Sequence, residues 1–412
     1  MPPANYTAKD ITVLEGLEPV RKRPGMYIGG VGSSGLHHLV WEVLDNSIDE
    51  AMNGHASNIY VTLHPDASSI TIEDDGRGIP IDKHPTTKKS ALEVIFTMLH
   101  AGGKFEQGNY KTAGGLHGVG ASVVNALSKE LIATVKRDGA QWEMRFKQGR
   151  VVSPLKKIGP ARGTGTTVYF HPDATIFPKV EFDPDTIRER LDVAAYLHKG
   201  LKIVFEDEST KTKIAFEHAD GLTDYLKTIV AARGARPVHE APFTLNREDG
   251  LRIDLVLQWT EATDEHIRSY VNGIPTGSGG THENGLRSGL GKAMRNFIDT
   301  HNLSPKGVTL TAEDIREGLT GVLSVFIEEP QFQGQTKDRL NNPEMMSAVD
   351  GAVRPALEHW LNHNISVAEA IVARIILAAG VSLGGATSAR TVKNFRASID
   401  ANPASAVRIA VW

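Results

Sequence analysis

Apolar and polar residues follow two different periods along the first half of the chain. Between Leu36 and Asn53 the apolar residues recur every three to four positions, which is typical of an amphipathic helix. Two short segments then alternate apolar and polar residues, which is typical of strands with one buried face. The pattern predicts, in order, a helix over 36–53, strands over 59–63 and 70–73, a helix over 91–100, a glycine-rich loop over 102–120, a helix over 121–128, a β-meander over 131–170, a helix over 185–197 and a strand over 201–205.

The order of elements restarts near residues 218–221. Strands over 251–259, 265–271 and 321–327 alternate there with helices over 283–300, 312–317 and 342–362. We therefore expect an α+β protein with a first domain over 1–217, a second α/β domain over 218–378 and a poorly ordered tail over 379–412. The N-terminal arm, residues 1–35, is expected to be irregular apart from a short helix near residues 8–16.

Composition narrows the class of protein. A chain of 412 residues fits about two domains. The net charge of −4 excludes a uniformly basic nucleic-acid binder, so any DNA contact needs a local basic patch. The chain has no cysteine and no apolar N-terminal leader, and Glu369 and Arg374 interrupt its most apolar stretch. These features predict a cytoplasmic protein that does not enter a membrane.

The predicted helix over 36–53 has a polar face formed by Glu42, Asp45, Asn46 and Asp49. Residues 42 and 46 are one turn apart and lie on the same face. A carboxylate there can act as a general base toward water, and a carboxamide oxygen can hold Mg²⁺. The alternative is that this face is simply solvated, as most such faces are.

Asp74 ends a predicted strand and is followed by Gly76 and Gly78. A carboxylate at this position can accept a hydrogen bond from the amino group of adenine, and the glycines allow a ring to approach the backbone. The alternative is an ordinary tight turn, for which Asp-Gly is a common signal.

Four glycines lie between Gly114 and Gly120, directly before a predicted helix. Several backbone N–H groups then point to one place, as in a nest that binds a phosphate. The spacing matches neither a Walker A loop nor the dinucleotide-binding fingerprint. A flexible loop without a ligand is the alternative.

Gln335-Thr336-Lys337 lies in the second domain, between Gly334 and Asp338. A lysine on such a loop can neutralise a γ-phosphate and thereby connect nucleotide state to domain orientation. A single lysine without a functional role is the alternative.

Taken in this order, the segments resemble the N-terminal half of the gyrase B and topoisomerase IV proteins of bacteria, within the wider class of GHKL ATPases and type IIA DNA topoisomerases. The resemblance covers roughly residues 5–378. It rests on these segments: Tyr6, Leu14–Gly29, Leu36–His38, Glu42, Asp45–Asn46, Asp49–Ala51, Asp74–Pro80, Gly102–Phe105, Gly114–Gly120, Gly279–Glu283, Asp314–Leu319 and Gln335–Lys337.

This resemblance implies ATP and Mg²⁺ as ligands. It implies that Glu42 is the general base with His38 as its neighbour, and that Asn46 is the Mg²⁺ ligand. Asp74 would read the adenine, helped by Thr166. The further nucleotide-contacting residues that it implies are Tyr6 (from the partner copy's arm), Gly78, Lys104, Tyr110, Gly114, Gly115, Leu116, His117, Gly118, Val119, Gly120, Gln335 and Lys337. Arg77, Pro80 and Arg137 would border the pocket where this family binds coumarin-type inhibitors.

The implied fold is a GHKL (Bergerat) α/β sandwich followed by a transducer domain like ribosomal protein S5. The implied partners are a second copy of the chain, joined on ATP binding, double-stranded DNA and a cleavage subunit of the gyrase A type. The metal-binding domain that joins in DNA cleavage is expected to be missing, so the chain alone is not expected to cleave DNA. Two alternatives stay open: another GHKL ATPase, and a nucleotide-binding interaction module without catalysis.

Overall fold

A computed structural model describes residues 7–104, 110–115, 117–304, 309–334 and 336–382. The chain divides into two compact units, residues 1–219 and 220–412.

The first unit contains a short 3-10 helix, Ala8–Asp10, six α-helices and eight strands among its described residues. The helices are α1 (Glu18–Lys22), α2 (Gly25–Ile28), α3 (Ser33–Met52), α4 (Ala91–Thr97), α5 (Gly120–Ala126) and α6 (Pro184–Leu197). The strands are β1 (Asn58–Leu63), β2 (Ile70–Asp74), β3 (Ser128–Arg137), β4 (Ala140–Lys147), β5 (Arg150–Pro160), β6 (Gly165–Pro172), β7 (Lys202–Asp207) and β8 (Thr212–Phe216).

These strands form one sheet in the order β5-β4-β3-β6-β2-β1-β7-β8. Every neighbouring pair is antiparallel except β1 and β7. Alternate residues of β1 and β2 are buried, which is the period of a strand that turns one face to a core. That core also takes residues of α3, α5 and α6, so the unit is a sandwich of helices on a sheet, as predicted.

The long helix α3 begins at Ser33, after Gly32 in extended conformation, and ends at Met52. Apolar residues such as Leu39, Val43 and Leu44 attach it to the core. Several acidic residues of α3 are also buried, and this burial positions the candidate site.

The second unit contains five helices and five strands in its described part. The helices are α7 (Leu222–Ala232), α8 (Thr281–Thr300), α9 (Ala312–Arg316), α10 (Glu344–His363) and α11 (Ile365–Ser382). The strands are β9 (Phe243–Arg247), β10 (Arg252–Trp259), β11 (His266–Val271), β12 (Ile274–Pro275) and β13 (Leu319–Phe326), in the sheet order β12-β11-β13-β10-β9. All eight residues of β13 are buried, as is typical of a central strand covered on both faces.

The structure differs from the predicted elements at both ends of the chain. The arm expected to be irregular contains α1 and α2, and Arg21 of α1 donates hydrogen bonds to Asp173 and to the carbonyl of Ala126. At the other end α11 runs to Ser382, into the segment expected to be poorly ordered from residue 379. Residues 383–412 lie outside the described residues.

No single helix within the described ranges is long and apolar enough to cross a membrane. The pair α10 and α11 has the length and composition only when taken together, and it is bent by 110°. The cytoplasmic location stays a prediction.

Candidate functional site

The buried polar side chains of α3 form the floor of the candidate site. Glu42 and Asp45 are largely buried, and Asp49 is only 1% exposed. The interpretation of this face as solvated is therefore wrong. Burying several ionisable groups close together costs folding free energy unless each group is paired. The partners of these side chains therefore indicate which ligand charges the site can accept.

Glu42 faces two neighbours. Its Oε1 lies 3.0 Å from Nε2 of His38, one helical turn earlier. On the other side, a Cβ added to Gly120 would lie 2.1 Å from Oε2 of Glu42. Glycine at the first residue of α5 therefore lets the start of that helix lie against the Glu42 carboxylate.

Asn46 and Asp49 share one cation, the ammonium group of Lys104. Lys104 Nζ donates to Asn46 Oδ1 at 2.7 Å and to Asp49 Oδ2 at 2.5 Å. The amide nitrogen of Asn46 donates to the carbonyl of Glu42 at 2.8 Å, which fixes the side chain so that its oxygen points into the site. Asn46 Oδ1 is thus already oriented toward a positive charge.

The glycine loop meets the same carboxylate. The N–H of Gly114 donates to Asp49 Oδ1 at 2.7 Å, and the N–H of Gly115 donates to Asp49 Oδ2 at 3.1 Å. Two N–H groups of the predicted phosphate nest therefore do bind an anion, here a side-chain carboxylate. The loop continues through His117, Gly118 and Val119 to Gly120, where α5 begins; Leu116 lies outside the described residues.

Asp74 lies at the end of β2, next to α3. Its carboxylate accepts hydrogen bonds from Ser47 Oγ at 2.9 Å, from the N–H of Gly76 at 3.0 Å and from the N–H of Thr166 at 3.4 Å. Burial raises the pKa of Asp74 to about 6, although these hydrogen bonds act in the opposite direction. Thr166 pairs with Asp74 in the sheet, and its hydroxyl accepts from the N–H of Ile79 at 3.2 Å.

Glu50, one turn beyond Asn46, collects a second cluster. Arg77 donates to it through Nη2 at 2.7 Å, and the hydroxyl of Tyr110 donates at 2.6 Å. Burial works against ionisation of Glu50, but the hydrogen bonds from Arg77 and Tyr110 outweigh it and lower its pKa to about 2. Burial, and then the hydrogen bond to Glu50, raises the pKa of Tyr110. The guanidinium of Arg77 also lies 4.7 Å from the centre of the Tyr110 ring.

The turn after β2 approaches the neighbouring strand closely. Gly78 has a φ of +74°, and a Cβ there would lie 2.9 Å from the carbonyl oxygen of Lys136. Arg137 Nη1 donates to the carbonyl of Gly78 at 2.7 Å. Arg77, Gly78 and Arg137 are therefore neighbours, and Pro80 is exposed two residues after Gly78.

The remaining predicted site residues are Lys337, Tyr6 and Gln335. Lys337 belongs to the second unit, where it is 4% exposed with a φ of +60°. Tyr6 and Gln335 lie outside the described residues.

Three residues that hold the site together received no role from the sequence, although Asp49 was placed on the polar face of the helix. Asp49 binds the glycine loop and Lys104, Glu50 binds Arg77 and Tyr110, and Ser47 binds Asp74. The spacing from Glu42 through Asn46 and Asp49 to Glu50 was a usable signal, because residues four, seven and eight positions apart share a helix face.

Both units of the chain match models of known protein families. Residues 32–176 match the family model of histidine kinase-, DNA gyrase B- and HSP90-like ATPases, and residues 221–387 match the family model of DNA gyrase B. The first unit thus has the fold of the GHKL ATPases, and the second is of the gyrase B type.

The more particular relationship comes from whole-chain similarity. The chain is 46% identical over 379 residues to the DNA gyrase B protein of Thermotoga maritima, a match that covers 90% of this chain and 59% of that protein. It is 44% identical to the corresponding B protein of the type 2 topoisomerase of Aquifex aeolicus, over 92% of this chain and 48% of that protein.

The structure is similar to the 43K ATPase domain of Thermus thermophilus gyrase B, solved with an aminocoumarin. The TM-score is 0.76 at 39% identity, over 91% of this chain and 97% of that one. A topoisomerase IV ATP-binding domain of Francisella tularensis gives 0.75 at 38% identity, over 90% and 99%. The chain belongs to the DNA gyrase B family, and it spans about half to three fifths of the length of the curated relatives it matches.

Proposed function

We propose that this chain binds and hydrolyses ATP and serves as the ATP-operated gate of a type II DNA topoisomerase. The observation that carries the proposal is the buried carboxylate of Glu42, which lies 3.0 Å from half-buried His38, one helical turn from Asn46 and beside the first residue of α5. A carboxylate held against an imidazole, next to a glycine loop whose N–H groups bind an anion, suits activation of a water toward a phosphate.

The proposed roles follow the contacts. Asp74 accepts the amino group of adenine, with Thr166 beside it, because its carboxylate is buried at the end of β2. The phosphates lie at the N–H groups of the loop from Gly114 to Gly120, which is a suitable anion nest. Glu42 takes the proton of the attacking water, and His38 supports its charge.

Mg²⁺ fits the donor set at Asn46. The Oδ1 atom of Asn46 already accepts from a cation, the Lys104 ammonium, and Asp49 adds a carboxylate beside it. Carboxamide and carboxylate oxygens are the ligands that Mg²⁺ prefers. Asn46 would hold the ion, which neutralises phosphate charge when bound; the chain's own contribution is to orient that oxygen through the hydrogen bond from Asn46 to the Glu42 carbonyl.

The proposal that the chain acts as a gate is supported by its membership of the gyrase B family and by the position of Lys337 in the second unit. The γ-phosphate is the part of ATP that ADP lacks, so a contact from Lys337 distinguishes the two nucleotides and favours one arrangement of the protein. ATP-dependent pairing of two copies through the Tyr6 arm, capture of double-stranded DNA and work with a gyrase A-type partner in the cytoplasm complete the proposal. ATPase activity that rises with the square of protein concentration would support the dimer.

A groove in the second unit is a local basic patch suited to DNA. Arg287, Lys292, Arg295 and Arg316 line it. Lys292 pairs with Asp350, Arg316 with Glu265, and Arg287 with both Glu265 and Glu283, so most of this positive charge is already neutralised. We therefore expect salt-sensitive and weak DNA binding by a single copy.

The proposal is tested by Glu42→Gln, which preserves shape and removes the negative charge. We expect unchanged binding of a non-hydrolysable ATP analogue, because Glu42 does not bind the nucleotide in this scheme, and hydrolysis lowered about 10²- to 10⁴-fold, the usual contribution of a general base. Glu189→Gln is the matched control, since Glu189 is an exposed carboxylate on α6.

Parental hydrolysis by Glu42→Gln would exclude Glu42 as the base. Nucleotide binding by the parental chain without any hydrolysis, alone or mixed with the proposed partners, would favour the alternative of a nucleotide-binding interaction module.

A further inference from the structure

The segment that carries Lys337 is described over residues 329–334 and 336–342, and hydrogen bonds join its two ends; we call it the lysine loop. The side chain of Asn342 accepts from the N–H of Gln331 at 2.6 Å and donates to the carbonyl of Glu329 at 3.1 Å. The N–H of Asn341 donates to the carbonyl of Gln331 at 2.8 Å. Asn342 is buried, so these hydrogen bonds are shielded from competing water.

Beside Lys337, the lysine loop is also hydrogen-bonded to the turn that precedes α8, residues 276–280. The N–H of Ser278 donates to the carbonyl of Asp338 at 2.9 Å, and the N–H of Leu340 donates to the carbonyl of Gly279 at 3.1 Å. The N–H of Thr281 returns a bond to the carbonyl of Leu340 at 3.1 Å. Such close pairing requires Gly280, where an added Cβ would lie 2.4 Å from the Leu340 carbonyl oxygen.

Lys337 has a left-handed backbone, with φ of +60°, in the middle of these attachments. A non-glycine residue holds this conformation at a cost and keeps it only where the surroundings impose it. The hydrogen bonds on either side of Lys337 supply that constraint. The position of the lysine therefore depends on the shape of the turn.

The carboxylate of Glu283, in the first turn of α8, packs against the turn over residues 276–280. Its Oε1 accepts from Ser269 Oγ at 2.5 Å, and its Oε2 lies 3.0 Å from Nη2 of Arg287. Gly279 rests on this carboxylate, since a Cβ there would lie 2.8 Å from Oε2. Glu283 is 8% exposed, so its charge needs these partners.

The other end of the turn meets the same network. Thr276 Oγ1 lies 2.6 Å from Ser269 Oγ and 3.0 Å from His282 Nε2. The carbonyl of Thr276 accepts the N–H of Gly279 at 2.8 Å. Burial lowers the pKa of His282 to about 4, so the imidazole is neutral near pH ~7 and adds no charge to the cluster.

We propose that Glu283 is a positioning residue for Lys337: its buried carboxylate fixes the turn at Gly279 and Gly280, and the turn fixes the lysine loop. The inference rests on the proposed function, in which Lys337 contacts the γ-phosphate. Glu283 itself contacts no nucleotide in this scheme and acts through the backbone that it supports.

The test is Glu283→Gln in the full chain, which keeps the size of the side chain but removes its charge beside Arg287. The readout is the ratio of affinities for a non-hydrolysable ATP analogue and for ADP, measured by calorimetry together with hydrolysis. We expect Glu283→Gln to lower the ratio and kcat toward the values of Lys337→Ala, by about tenfold to 10²-fold for a loss of positioning, with ADP affinity unchanged. A general loss of folding would lower ADP affinity as well.

Two further variants complete the design. Glu313→Gln is the matched control, because Glu313 is a highly exposed carboxylate that pairs with Arg316. Asn342→Asp removes the amide donor that joins the two ends of the lysine loop. We expect it to lower the ratio of ATP-analogue to ADP affinity as well, with ADP affinity unchanged. It replaces Glu283→Gln if thermal unfolding shows that the latter does not fold.

The double variant Glu283→Gln with Lys337→Ala decides between outcomes. No loss beyond Lys337→Ala supports the inference, since both changes then act through one contact. A parental ratio in Glu283→Gln, or fully additive losses, overturns it while the role of Lys337 stands. If Lys337→Ala leaves the ratio unchanged, the role proposed for Lys337 fails, and the positioning role fails with it.

Discussion

Gly120→Ala separates the stability of the protein from its proposed chemistry. Gly120 is the first residue of α5 and has no left-handed φ, so alanine fits the backbone. Replacing glycine by alanine in the middle of a helix stabilises the folded state by roughly 0.5–1 kcal/mol, so at the first residue the gain is at most of that size. The nearest atoms all belong to one side chain, because the new Cβ would lie 2.1 Å from Oε2, 3.1 Å from Cδ and 3.3 Å from Cβ of Glu42.

The size of the displacement follows from these distances. Ordinary contact begins near 3.4 Å, so Oε2 of Glu42 must move by roughly 1.3 Å, which a rotation of the flexible carboxylate achieves cheaply. The same rotation alters the 3.0 Å contact between Glu42 and His38. A misplacement of about 1 Å at a reacting group can cost about 10²-fold in rate.

We therefore expect Gly120→Ala to unfold at an equal or higher temperature than the parent, to bind a non-hydrolysable ATP analogue within a few-fold of it, and to hydrolyse ATP about 10²-fold more slowly. A coupled-enzyme ATPase assay and a thermal melt measure these quantities. Gly103→Ala is the control from the same glycine-rich segment, because an added Cβ there has no neighbour within 4 Å. Hydrolysis close to the parental rate, in a folded Gly120→Ala protein, would refute the placement of Glu42 as base.

Nucleotide binding should depend on pH through Asp74, because burial raises the pKa of this carboxyl to about 6. Only the ionised carboxylate accepts freely from an adenine amine, so nucleotide affinity should rise as pH rises through about 6. Asp74→Asn should lose that step, and a parental step in the variant would assign it to another group. Arg21→Ala removes two hydrogen bonds, one to Asp173, and should cost about 1.5–3 kcal/mol in urea denaturation. Burial opposes ionisation of Asp173, yet hydrogen bonds lower its pKa to about 2, so its stabilising effect is complete above its ordinary value of 3.8 and is lost as pH falls toward 2. Arg21→Ala should flatten stability in that window, and an unchanged slope would mean that Arg21 does not hold Asp173 ionised.

The periodic elements of the fold were predictable because their burial follows from a simple repeat. The helix over 36–53 and the strands over 59–63 and 70–73 match α3, β1 and β2 to within three residues at each end. Short elements whose stability comes from contacts with residues distant in sequence were not predictable. The short helix α1, for example, is fixed by buried Val20 and by Arg21, which donates to Ala126 and to Asp173, 152 residues away in sequence.

The residues of the candidate site likewise differ in how far the sequence predicted them. Glu42, Asn46 and Asp74 carry a chemical signal in the sequence, and their surroundings agree with a polar buried site. Asp49 and Glu50 share the helix face of Glu42 and Asn46, but that spacing does not show what they bind, because a carboxylate on a helix face is most often solvated. Only the folded chain brings Lys104 and the N–H groups of Gly114 and Gly115 to Asp49.

Asp49 and Lys104 form an internal pair of opposite charges at the positions where a phosphate and its cation are proposed to bind. A nucleotide that takes the N–H groups of Gly114 and Gly115 must displace a carboxylate from them, and a cation that takes Asn46 must displace an ammonium group. Binding is then an exchange between two sets of charged partners. Its free energy is the difference between the two sets, so the net affinity is expected to be weaker than the nucleotide's own contacts imply. Between successive nucleotides, the site would keep a satisfied arrangement of charges.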